Sequence, residues 1–498
     1  MAGSSPQDRL PWGPTRAQWE RARRIVAGMT LEQKAGQVIV AGYHGTDAPR
    51  DLVRRYHLGG VIVMGDNIRS VDQLRAVNRS LQQEARRQGR EWPLIISVDQ
   101  EGGTVARVQD GVTEFPTYMT LGAAGDPELA RRVARASGTE LRALGFTMVF
   151  APDADVTVGP SDPTIGSRSA GSDPELVARI VQGSLRGYAE AGIIAVPKHF
   201  PGHGSVPADS HTSLPVQRAS LELLSSRDLV PFQAAVAAGA GAVMVAHIDV
   251  RAVDPGTPSS LSSAVITQLL RERLGFSGVV VTDALQMAGA AEEHGSAEAG
   301  VRALLAGADI LLLPDDAAAL HAALVRAVRT GRVPHDRLDE AAARTVALML
   351  HQDASAAVEP STSASALSYE ASRRGLTVVA GSCEGRLVGS AVRVLGGTAS
   401  DRARFTAAAR AAGLRVGETG TVVRLLGPGS AGGAGDVVVA LDTPYVLASS
   451  SATTARIALY GRTPEAFRAL VDVLTGRARG EGRLPVPVDG VRPHAGCA

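Results

Sequence analysis

The stretch GVVVTDALQM (278–287) reads as a buried strand that ends in an acid, followed by a turn into a helix. The same cadence recurs through the first two-thirds of the chain. It is seen in QVIVAG (37–42), GVIVMG (60–65), LIISVD (94–99), FTMVFAP (146–152), IIAVPKH (193–199), AVMVAH (242–247) and DILLLP (309–314). Between these runs lie amphipathic stretches such as LARRVARASGTELRAL (129–144) and ITQLLRERL (266–274). Continuous apolar strands alternating with helices predict a parallel sheet buried on both faces. Eight such strands fit a (β/α)8 barrel of the TIM type, with a doubly wound open sheet as the alternative. The ionisable residues decide between them. Asp99, Lys198–His199, His247 and Asp283 all stand at strand C-termini, which a barrel gathers into one mouth and an open sheet spreads along an edge.

Working outward, MTLEQKAGQ (29–37) offers Thr30 and Gln33 as a capping box for a helix ahead of the first strand. Residues 1–351 are thus expected to form the barrel. The Ser-, Ala- and Pro-rich stretch 352–367 reads as a linker. Strands resume at 376–380, 392–396, 422–426, 436–441 and 456–461, with helical patterns at 401–413 and 464–476. Residues 368–498 therefore predict a smaller α/β sandwich domain. GSAGGAG (429–435) is glycine-rich but lacks the phosphate-loop arrangement.

With 51 basic and 50 acidic residues, the 498-residue chain gives no electrostatic reason to bind nucleic acid or an anionic membrane. No apolar run spans a bilayer, and MAGSSPQDRLPWGPTRAQWERARRIV (1–26) has no apolar signal region. A cytoplasmic location is the resulting expectation. Nothing in the sequence speaks to oligomeric state. Cys383 and Cys497 belong to no CxxC or metal-ligand pattern, so a disulfide framework is not expected. Lysine occurs only at 34 and 198, which draws attention to Lys198.

Lys198 opens the densest polar cluster, KHFPGHG (198–204) followed by Asp209-Ser-His211. PGHG forces a loop after the strand. A carboxylate two residues from an imidazole can fix its tautomer and steady its cation, making a proton donor and acceptor for near-neutral pH. His199, His203, Asp209 and His211 are also possible metal ligands, but the adjacent Lys198 opposes a divalent cation, and no metal is expected. Asp283 suits either a position in the barrel mouth or a helix N-cap. SVDQEGG (97–103) places acids at a strand end before two turn-forming glycines, and Asp99 there suits sugar hydroxyls or a structural salt bridge. Arg168, in IGSRSAG (165–171), can extend from a loop of small residues.

Together these motifs resemble glycoside hydrolase family 3, in its β-N-acetylglucosaminidase branch. The match runs from MTLEQKAGQ through VDQEGG, IGSRSAGSDP, KHFPGHGSVPADSH and VTDALQM to ALYGRTPEAFRALVDVL and GRLPV. The resemblance implies a retaining exo-β-N-acetylglucosaminidase that takes terminal units from chito-oligosaccharides or cell-wall fragments. It implies Asp283 as nucleophile and His211 as general acid/base, held by Asp209. It further implies that Asp99, Arg107, Arg168, Lys198 and His199 bind the terminal sugar, with no cofactor. Many glycosidases use two carboxylates about 5–5.5 Å apart for retention. Here one carboxylate is replaced by a His–Asp pair, which does not repel an incoming anion. Phosphorolysis by the same residues is therefore the alternative chemistry, and β-glucosidase activity the alternative specificity. Ala170 replaces a frequent Phe, Ala284 a frequent acid and Thr104 a frequent Arg, which bears on pocket lining and preference rather than on the reaction.

Overall fold

The computed structural model describes residues 8–355 and 363–497. Eight parallel strands form the first domain: β1 (Ile39–Ala41), β2 (Gly60–Val63), β3 (Ile95–Val98), β4 (Met148–Val149), β5 (Ile194–Ala195), β6 (Ala242–Val245), β7 (Val279–Thr282) and β8 (Leu311–Leu312). Each lies inside one of the eight apolar runs. Hydrogen-bonded neighbours run β8-β1-β2-β3-β4-β5, and β6 pairs with β7. Bridges Phe200–Val245 and Val281–Ile310 join the two groups and close the circuit. Every residue of these strands is buried, as a sheet wrapped by helices on one side and filled by side chains on the other requires.

The caps follow the sequence closely. Thr30 accepts from the Gln33 amide at 3.2 Å while the Gln33 side chain accepts from the Thr30 amide at 2.9 Å. A second capping box, Thr15 with Gln18, opens the helix Arg16–Ala27, which packs on the last barrel helix, His335–Asp353. In place of the α-helix expected over 266–274, Ala264–Arg273 form a wider, π-type helix.

On the floor of the barrel, Asp309 precedes β8 and is fully buried. Its carboxylate accepts from Arg271 at 2.6 Å, Arg337 at 2.8 Å, Arg344 at 3.4 Å and the Val280 amide at 3.0 Å. Burial raises its pKa, but the three guanidinium groups outweigh burial and hold it at about 2.

Of the stretch read as a linker, 356–362 lie outside the described residues. Gln352 and Asp353 complete the barrel's last helix, and Ala364–Gly375 is already helical. The second domain carries one mixed sheet. Its strands are β9 (Thr377–Ala380), β10 (Ala391–Gly396), β11 (Arg415–Val416), β12 (Thr421–Leu426), β13 (Ala434–Ala440) and β14 (Ser451–Ala458), in the order β9-β14-β13-β12-β10-β11. Only β9 is antiparallel to its neighbour. Thr463 caps the helix Pro464–Leu474 with proline in its first turn, as its sequence predicts.

The domains meet beside the barrel mouth. Glu114 and Arg404 form a two-pronged pair at 2.8 and 2.9 Å, and the Thr117 hydroxyl donates to the Tyr460 carbonyl at 2.7 Å. Residues after 480 return to the barrel, where the Ser172 amide donates to the Pro485 carbonyl at 3.1 Å, and from the second domain's sheet Asp442 accepts from the Ser167 hydroxyl. These contacts grip both ends of the segment that carries Arg168. Gly171 lies against Pro485 so closely that a Cβ there would sit 2.6 Å from its carbonyl oxygen.

One sequence expectation is corrected. Cys383 and Cys497 form a disulfide across 114 residues, with Cα atoms 5.5 Å apart. A single long-range bridge leaves no spacing pattern in sequence; the returning terminal segment, paired at Arg483–Gly496, creates it. By the chain-entropy argument a loop this long gains about 4–5 kcal/mol, and measured bridges usually give about 2–4 kcal/mol. Replacing both cysteines by serine is therefore expected to cost about 2–4 kcal/mol, read from the denaturant midpoint of the second domain. Thiol titration of the unfolded, unreduced protein should find no reactive thiol. Two reactive thiols and an unchanged midpoint would show that the bridge does not form.

Candidate active site

The C-terminal ends of the strands converge on one pocket, as a barrel dictates. From β3 the chain continues through Asp99 into a short hairpin, Gln100–Gly102 with Val105–Ala106. Its turn needs glycine twice. Gly102 and Gly103 have φ of +97° and +59°, and a Cβ at Gly103 would sit 2.2 Å from Thr117. Alternate residues take different roles. Asp99 and Glu101 join the charged pocket, while Gln100 and Gly102 line a cavity of about 360 Å³ against the second domain.

Lys198 is the hub. Its Nζ lies 2.7 Å from Asp99 Oδ1 and 2.7 Å from Glu101 Oε1. Arg168 forks onto Glu101, with Nε at 2.9 Å and Nη2 at 2.8 Å, and Nη2 also reaches His199 Nε2 at 3.2 Å. Burial pushes the Glu101 carboxyl up, but Arg168 and Lys198 outweigh it and hold it well below the carboxylate range. His199 Nδ1 donates to Asp155 Oδ2 at 2.7 Å, which leaves Nε2 as the acceptor for Arg168. Burial, reinforced by Arg168, lowers the His199 pKa to about 4, so its ring is neutral at neutral pH.

Asp283 follows β7. The next helix starts at Ala288 with Met287 in the cap position, so Asp283 is not a helix cap. Its Oδ1 instead accepts from the Ala284 amide at 2.8 Å. Burial raises its pKa, but His199, His247, that amide and Lys198 prevail, and it lies below the usual range. His247 fastens this turn. Its Nε2 donates to the Ala284 carbonyl at 3.0 Å, and its Nδ1 accepts from the Ser260 hydroxyl at 2.6 Å.

Asp209 and His211 pair as their spacing predicts, Nδ1 to Oδ1 at 2.7 Å, with the His211 amide also donating to Oδ1 at 2.9 Å. The His211 side chain is exposed, 65% against 8% for His199. Ser210 ties this exposed loop inward: its hydroxyl meets His203 Nε2 at 2.9 Å, and its carbonyl accepts from the Gly289 amide at 3.1 Å.

Asp99, Arg168, Lys198 and His199 are thus in direct contact as a cluster. Arg107 is near in the chain, its amide donating to the Asp99 carbonyl at 3.2 Å, but its buried Nε has no hydrogen-bond partner. Asp153, Asp155 and His199 could bring three ligand atoms within 4.8 Å of one another. His199 Nδ1 is already committed to Asp155, and Arg168 Nη2 stands 3.7 Å from Asp153 Oδ2, so a guanidinium already supplies the local positive charge.

Known proteins share the sequence and fold of this barrel. The model of the glycosyl hydrolase family 3 N-terminal domain matches residues 30–348. The chain belongs to glycoside hydrolase family 3. A structure of a family 3 beta-N-acetylglucosaminidase from a Paenibacillus species superposes on this family 3 chain with a TM-score of 0.85. It is 35% identical, over 93% of this chain and 99% of that one. A beta-hexosaminidase of Thiobacillus denitrificans is 40% identical over 280 residues, 55% of this chain and 76% of that protein. Beta-hexosaminidase A of Pseudoalteromonas piscicida is 36% identical over 280 residues, 53% of this chain and 47% of that protein. The chain spans about half the length of that last relative. As a family 3 member it is a glycoside hydrolase.

Three residues of this family 3 site escaped the sequence reading, and a fourth, His203, was read for another role. Glu101 stood beside Asp99 in the quoted motif, and its place two residues on, past a buried glutamine, was the available signal. Asp153 and Asp155 come just after the run FTMVFAP (146–152), but that run closes on proline rather than on a charge, so its strand was not counted among those ending in one. His203 was read as one of four possible metal ligands. Its amide donates to Asp155 Oδ1 at 2.6 Å, which makes it part of the wall behind His199.

Proposed function

We propose that this chain is a retaining exo-β-N-acetylglucosaminidase with Asp283 as nucleophile and the Asp209–His211 pair as acid/base. The observation that carries the reading is that pair, formed at 2.7 Å on a loop that Ser210 ties to the segment following Asp283. The names of the relatives support the same sugar.

In the first step Asp283 attacks the anomeric carbon. The glycosidic bond breaks, and its oxygen takes a proton from His211 Nε2. Asp209 holds the Nδ1–H, so Nε2 is the nitrogen free to transfer the proton, and the imidazole ends neutral. In the second step His211 takes a proton from water, which attacks the anomeric carbon and frees Asp283. Asp99, Lys198, Arg168 and His199 bind hydroxyls of the terminal sugar. Arg107 lies beside them with a hydrogen-bonding nitrogen unsatisfied. The natural substrate class is a chito-oligosaccharide or a cell-wall fragment.

The cytoplasmic location expected from the N-terminal sequence stands against the disulfide, since such bridges persist in oxidising compartments and are rare in the cytosol. On the strength of the bridge we propose that the chain works where disulfides persist. Among the described residues no helix is long and apolar enough to cross a membrane.

Proton NMR during hydrolysis of an aryl β-N-acetylglucosaminide tests the proposal. Retention gives the β-anomer of N-acetylglucosamine first, with the α-anomer growing in later. First-formed α-anomer would refute the covalent route, and no aryl release would refute the sugar assignment. N-acetylglucosamine 1-phosphate as the main product in phosphate buffer would establish phosphorolysis instead.

A further inference from the structure

The pocket holds more carboxyl groups than it can neutralise. Asp99, Glu101, Asp153, Asp155 and Asp283 lie around two permanent cations, Lys198 and Arg168, which pair directly with Asp99 and Glu101 and reach the others only through their fields. Four of the five have donors suited to an anion. Asp99 has Lys198, and Glu101 has Lys198 and the Arg168 fork. Asp155 has the His203 amide and the His199 ring. Asp283 has the Ala284 amide and lies within the fields of His199 and His247.

Asp153 differs. It is fully buried. Oδ1 accepts one amide, from Asp155 at 3.0 Å, and Oδ2 has no hydrogen-bond partner. Oδ2 faces Arg168 Nη2 at 3.7 Å and His199 Nδ1 at 3.8 Å, both beyond bonding reach. An anion with a bare buried oxygen beside another carboxylate is poorly solvated, whereas a neutral acid is tolerated there.

We propose that Asp153 holds a proton in the working enzyme and is a positioning residue that leaves Arg168 forked onto Glu101. Its role rests on the sugar-binding reading given above, whereas the state of its proton does not. Burial is the main force raising its carboxyl well above the usual range. The like charge of Asp155 adds to burial, as does Glu101 more weakly, against Arg168 and His199. Glu101, Asp155, Arg168 and His199 are the titratable and charged groups that act on it most, facing it from the hairpin, from its own loop, from the Gly166–Arg168 turn and from the loop after β5, where Lys198 also pairs with its backbone. Ionisation would place a second anion beside Arg168 Nη2, the nitrogen that already serves Glu101 and His199. The guanidinium would then be drawn off the fork that positions it for the sugar.

The test compares wild type with Asp153→Asn. In the unfolded chain the carboxyl loses its proton above about pH 4, while the folded protein keeps it, so folding takes up one proton. Wild type should therefore lose stability relative to the variant as pH rises from about 5 to about 7, the ratio of unfolding constants changing about tenfold per pH unit. A ratio that stays flat overturns the proposal. If the variant folds poorly, carbon-13 NMR of aspartate-labelled wild type at about pH 7.5 answers the same question. One carboxyl should keep a protonated shift there, above the value of about 6 to which Asp155 is raised. Ionised shifts for every aspartate would overturn it. The positioning role is read separately from KM on the aryl substrate. KM should rise at alkaline pH in wild type and not in the variant, and the same rise in both would reject the positioning role.

Discussion

Asp283→Ala should lower kcat on an aryl β-N-acetylglucosaminide by about 10³-fold or more, with the fold intact. The size follows from what the side chain does in the proposed route. Its neighbours keep the carboxylate ionised despite burial, and the Ala284 amide occupies Oδ1. Among the described residues no hydrogen bond reaches Oδ2, so that oxygen is the one presented for attack. Alanine removes the nucleophile while the Lys198–Glu101–Arg168 cluster, which makes no hydrogen bond to Asp283, remains. The loss should therefore fall on kcat more than on KM, because the interaction removed is a bond formed during reaction. Initial rates across substrate concentration give both constants. Turnover within about tenfold of wild type would assign the attack to another group.

Asp309→Ala should destabilise the barrel by about 3–5 kcal/mol without touching the chemistry. One carboxylate here neutralises and orients three largely buried arginines; Arg337 also donates to the carbonyls of Leu304 and Ala308, Arg271 to those of Gly278 and Gly307, and Arg344 pairs further with Glu340. Removing it leaves those cations without their shared anion at the end of the barrel opposite the mouth. Denaturant unfolding followed by circular dichroism measures the loss. The sign with pH is fixed by a folded pKa held at about 2, below the unfolded value of about 3.9. The stabilisation is present above about pH 4 and disappears as pH falls toward 2, so the two proteins should converge in acid. A difference below about 1 kcal/mol at neutral pH would mean that the arginines find water on their own.

These two residues show how unevenly sequence reveals structure. Asp283 was legible because it terminates an apolar run, and the barrel rule places strand ends at the mouth. Asp309 begins such a run, and no local rule distinguishes a network centre from a solvent-facing charge. Its partners lie 28 to 38 residues away. The eight strands and their parallel order could be read from hydrophobic runs, since burial on both faces writes itself into composition. Asp209 with His211 could be read because the partners are two residues apart. Asp155 with His199, separated by 44 residues, could not, although its geometry is equally close. The disulfide was hidden for the same reason, being made by the return of a distant terminus.

The segment Ser167–Ser172 is clamped at one end by Asp442 and at the other by Pro485, while the arginine between them serves the barrel. Chemistry and stiffness are thereby divided between two halves of the gene product. The match to the family's N-terminal domain stops at residue 348, so every group of the charged pocket lies within that module, and its outer brace lies beyond it. Evolution can then alter the rigidity of this arginine loop by changing the second module, leaving the reacting groups of the first untouched.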